Sequence, residues 1–106
     1  MSDITVTVPD QHLSRAIRAL AFQYENCIQA MHEAEVLGHG TVVDSLDMWA
    51  MSLSSTFDAL RASVPADYKY YEYVVGDPLP MRSDIIDDYK EQLKHDAEIA
   101  AKRSGN

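Results

Sequence analysis

The chain has 106 residues, 46% hydrophobic and 25% charged, the size and balance of a single domain spanning 1–106. Its formal net charge of -8 argues against direct nucleic-acid binding, which draws on clustered lysine and arginine to neutralise phosphates. No apolar run approaches the roughly 18 residues of a membrane span. The opening MSDITVTVPD lacks the basic and apolar stretches of a signal peptide, and the lone Cys27 permits neither an internal disulfide nor a thiolate zinc knuckle, so a cytoplasmic protein held together by packing is expected.

Residues 3–8 alternate Ile4, Val6 and Val8 against Thr5 and Thr7, which predicts a short β-strand with one apolar face. Pro9 ends it, and Asp10 is placed to cap a helix. That helix is predicted over 10–37, because Leu13, Ile17, Leu20, Tyr24, Cys27, Met31 and Ala34 recur every three or four residues along one side. Gly38 and Gly40 close it and turn the chain back.

A second helix is predicted over 41–63, capped by Thr41, with a stripe at Val42, Leu46, Trp49, Leu53, Phe57, Leu60 and Val64. Facing stripes predict a long antiparallel helical hairpin. A further ridge of Met48, Met51, Ser55, Ala59 and Ala62 calls for another packing partner, either the C-terminal helix or a second copy of the hairpin. Residues 66–80 carry four tyrosines ahead of Val74 and Val75 and read as a tyrosine-rich connection or strand. Two alternatives stand: residues 68–75 pair with the N-terminal strand in a small ribbon, or Pro65 starts a short helical turn. An amphipathic helix follows over 83–103, acidic at its start and basic at its end, with a narrow stripe at Ile86, Tyr89, Leu93, Ala97 and Ala100. The expected fold is thus mainly α, a hairpin plus a C-terminal helix, with one short strand.

The motifs that carry chemistry are sparse. His32, Glu35 and His39 gather near the glycine turn, but with no second acidic partner at a fixed spacing they read as solvated turn residues rather than metal ligands. Cys27 sits on the core stripe, where a thiol behaves as a small hydrophobe. No phosphate-binding loop or dinucleotide fingerprint is present. Lys69 or Arg82 beside the tyrosines leaves a nucleotide-binding reading third in order. No cofactor, no metal and no enzymatic activity are expected.

The distinctive feature is a charge gap. Between Arg18 and Arg61 the chain carries Glu25, Glu33, Glu35, Asp44, Asp47 and Asp58 without a single lysine or arginine. Together with Met48 and Met51, these carboxylates form the expected contact surface for a protein partner of basic character, steered by complementary charge. A structural or assembly subunit of a homo-oligomer, such as a homodimer, is the alternative. In build, as a short, acidic, cysteine-poor helical chain with a lone strand, the protein is similar to small bacteriophage accessory proteins, including inhibitors of host defence such as anti-CRISPR proteins. The likeness implies an inhibitor of a nucleic-acid-handling partner; it rests on size and charge, not on aligned residues.

Overall fold

In a computed structural model that describes residues 3–105, the chain is mainly helical: α1 (Asp10–Val36), α2 (Gly40–Ala62), α3 (Tyr71–Val75) and α4 (Arg82–Ser104). Among the described residues none is long and apolar enough to cross a membrane. Helix α1 ends where Gly38 takes a φ of 75°, a conformation open to glycine at little cost, and α2 begins after His39. The thiol of Cys27 donates to the carbonyl of Leu46 at 3.2 Å, and Ile17 shares a core cluster with Phe57, so the two helices run in opposite directions side by side.

Their shared core falls into two clusters. One joins Tyr24, Cys27 and Ile28 of α1 to Ala50 and Leu53 of α2 and Ile85 of α4. The other joins Ile17 and Phe57 to Val64, Val74 and Val75. The buried line on α2 is Ala50, Leu53 and Phe57, backed by half-buried Leu46 and Leu60. It differs from the expected stripe at Trp49, which is 54% exposed, and at Val42, which also faces outward. A helical line through Leu46 and Leu53 passes either residue 49 or residue 50, and the alanine wins because its single methyl lets α1 approach closely.

The expected N-terminal strand is not formed. Residues 3–9 have no regular structure, and Ile4 is 85% exposed. Its proposed partner is helical instead: Tyr71, Val74 and Val75 stand three and four positions apart and all pack on the second cluster. Strand alternation would have buried Glu72 together with Val74, and a two-stranded ribbon of this length is marginal on its own. Two expected caps also shift. The Pro9 carbonyl, not the Asp10 side chain, receives the first amides of α1, and Thr41 lies inside α2.

Two arginines fasten α3 to the helical pair. Arg18 donates to the carbonyl of Tyr73 at 2.9 Å and to the Ser14 hydroxyl, while Arg61 donates to the carbonyls of Val75 and Gly76 at 3.3 and 3.4 Å. The C-terminal carbonyls of this short helix would otherwise lack partners. Gly76 follows with a φ of 62°, reversing the chain toward α4.

Helix α4 runs the same way as α1, with Ile85 against Tyr24 and Ile28, and with Tyr89 donating to Glu33 and standing edge-on to His32 at 6.4 Å. Beyond Tyr89 every described residue is exposed. Residues 90–104 therefore form a helical arm about 22 Å long, carried past the side of α1 toward the α1–α2 turn. The result is an extended molecule of 56 × 33 × 19 Å with a radius of gyration of 17.8 Å, against about 13 Å for a compact domain of this length.

Candidate functional site

The six carboxylates of the charge gap do not share one face. Glu25 is half-buried beside the α3 anchor, on the edge of a cleft with Arg18 and Arg61. Glu33 accepts the Tyr89 hydroxyl, and Asp47 is bound by Arg82 at 2.6 Å. That contact, and the Tyr24 hydroxyl beside it, raise the arginine's already high pKa, so Asp47 tethers α4 rather than offering free charge. Asp58 is exposed far along α2. Only Glu35 and Asp44 come together as exposed acids, bordering a shallow depression at the turn with Gly38, His39 and Val43.

Most of the large exposed apolar groups of the helical pair lie at the end of α1 and in the first half of α2. Val36 and Leu37 end α1; Val42, Met48, Trp49 and Met51 occupy the first half of α2, with Met48 72% and Met51 61% exposed. The outward positions of Met48 and Met51 agree with their place off the core stripe. Ser55, Ala59 and Ala62, which continue the ridge, are exposed as well, because α3 and α4 pack chiefly on α1. From the turn to the middle of α2 the pair thus presents two carboxylates, then adaptable thioethers and an indole, with no lysine or arginine in that stretch of sequence.

Sequence reasoning placed Trp49 in the core and passed over Val36 and Leu37. A signal for the last two existed: both lie after Ala34, the last residue of the α1 stripe, where nothing remains to pack against them. For Trp49 the spacing was ambiguous, as residue 50 fits the same stripe.

The other chemical candidates resolve as structure. His32 packs on Tyr89, and among the described residues no group of three His, Cys, Asp or Glu is placed to hold a metal ion. Cys27 is buried, and removal from water raises its thiol pKa, opposed by the nearby Arg82 charge. The cleft of about 850 Å³ beside α3 is lined by Arg18 and Arg61, each of which also donates to a carbonyl at the end of α3: Tyr73 for the first, Val75 and Gly76 for the second. Lys69 lies over the Tyr70 ring at 5.3 Å, and the exposed Tyr68 donates to Asp10 at 2.7 Å, a bond that raises its phenol pKa. Arg82, engaged with Asp47, is not part of this tyrosine group. No family model matches the chain, and no curated protein or solved structure does either.

Proposed function

We propose that the chain is a non-enzymatic protein-interaction module that works through the acidic, apolar tip of the α1–α2 pair. One observation carries this: Met48, Trp49 and Met51 stand more than half exposed on α2, the helix that also carries Asp44, in a stretch from Arg18 to Arg61 without an intervening lysine or arginine. Large exposed apolar groups favour burial by a partner, tryptophan is a preferred anchor of interfaces, and the carboxylates favour a partner that brings positive charge. A nucleic-acid-handling protein has such a surface, and covering it would inhibit that protein. The projecting arm of α4 favours a second reading, an assembly subunit that completes its packing with another copy. A small-ligand role is weaker, because the α3 cleft uses its arginines internally.

Affinity capture from the native cell extract tests the proposal. Immobilised chain is expected to retain a partner at about 0.1 M salt and release it near 1 M, where surface charges are screened within about 3 Å. A Glu35→Lys, Asp44→Lys, Trp49→Ser variant with unchanged circular dichroism is expected to retain none. Equal capture by the variant would refute the tip as the contact surface.

A further inference from the structure

We infer that the partner of the tip is the α4 arm of a second copy, so that two chains meet tip to tip and exchange arms. This rests on the tip being the contact surface and names what covers it. The arm is the one long element with nothing packed on it: residues 90–104 are exposed throughout, yet they continue the apolar line of Ile86 and Tyr89 through Leu93, Ala97 and Ala100. A free helix of about 15 residues is marginal in water, so a surface that covers that line stabilises it. Its direction leads it past the turn of its own chain, where the tip of a second copy is the next surface available.

Charge favours the same occupant: on the arm Lys90, Lys94, Lys102 and Arg103 outnumber Glu91, Asp96 and Glu98, a formal charge of +1 in a chain of net charge -8. Lys90 and Lys94 are one turn apart on a single border of the apolar line, suited to the acidic tip with Glu35 and Asp44. Ser45, Ser52 and Ser55 between the larger groups of α2 leave room for a helix to approach. Exchange is reciprocal: each arm covers one tip, and a closed two-fold dimer results. Two helical contacts, each about 22 Å long and 10 Å wide, bury on the order of 1,000 Å² counting all surfaces, the lower bound for a specific association. A reversible dimer follows.

Light scattering across dilution from about 1 mM to about 1 μM is expected to show mass rising to twice the 11.9 kDa chain. Emission of Trp49, the only tryptophan, is expected to shift to the blue as the mass rises. Leu93→Asp with Ala97→Asp, both at exposed positions, should abolish the dimer while the α1–α2 pair keeps its urea unfolding midpoint. Lys90→Glu with Lys94→Glu, and separately Glu35→Lys with Asp44→Lys, should each weaken association at least tenfold, and mixing the two charge-reversed chains should restore it. A monomer at every concentration overturns the inference, as does a dimer that tolerates the Leu93 and Ala97 changes or leaves Trp49 emission fixed. If the chain is monomeric while tip substitutions still abolish capture from the extract, the arm fails as the occupant and the tip stands. If tip substitutions change neither mass nor capture, both fail.

Discussion

Phe57→Ala is expected to lower the free energy of unfolding by about 3–5 kcal/mol, measured by urea denaturation followed by circular dichroism. The ring is 1% exposed and lies where α1, α2 and the α3 segment converge, touching the cluster of Ile17, Val64, Val74 and Val75. The Arg61 guanidinium stands 5.3 Å from the ring centroid while holding the Val75 and Gly76 carbonyls. Truncation therefore leaves a cavity and also removes the surface on which that arginine rests. Domains of this size are stable by only about 5–15 kcal/mol, so the variant loses a large share of its margin. A loss under about 1 kcal/mol would show that the cluster collapses around the gap, contrary to its place at the junction of three elements.

Ile85→Ala has a different expected signature. Ile85 is the only residue of α4 that is fully buried among those described, and the remaining attachments are half-buried Ile86 and Tyr89 and the Arg82 to Asp47 ion pair. A truncated buried isoleucine costs about 2–5 kcal/mol, while a partly exposed ion pair contributes about 0–1 kcal/mol. The helix is therefore expected to detach while α1 and α2 stay folded. Hydrogen exchange read by mass spectrometry should show peptides from 82–104 losing protection and peptides from the facing positions of α1 and α2 keeping most of theirs. Uniform loss across all helices would mean that α4 belongs to a single cooperative core.

The helical segments were legible because local signals agreed with packing: a three-and-four apolar period, glycines at the turn, and a charge order matched to the helix dipole. Where local signals conflicted, tertiary context decided. Residues 68–75 have strand composition, but the spacing of Tyr71, Val74 and Val75 is helical and matches the surface offered by Ile17 and Phe57. Residues 3–8 have a strand pattern without a neighbouring strand, and an edge needs an edge. The proposed contact surface was half legible. Met48 and Met51 fell off the stripe and do lie outward, whereas the acidic stretch, continuous in sequence, is divided in space because helical rotation sends its members to different sides and Arg82 and Tyr89 engage two of them. Trp49 was hidden by the freedom of a helix to bury either of two adjacent residues.

The single cysteine, finally, makes the seam between α1 and α2 a clock. Its sulfur lies inside the first cluster, donating to Leu46, and its raised pKa keeps it protonated where a free cysteine would begin to ionise. A thiol reagent in excess reacts only when the seam parts, so the pace of modification counts separations, and each 1.4 kcal/mol of added seam stability slows it about tenfold. The sign with pH follows. Because the native thiol ionises later than the unfolded one, the seam is at full strength below the ordinary thiol range and weakens as pH rises through it toward the native value. Association of two tips, by quieting the ends of both helices, would be heard at residue 27 as a slower tick.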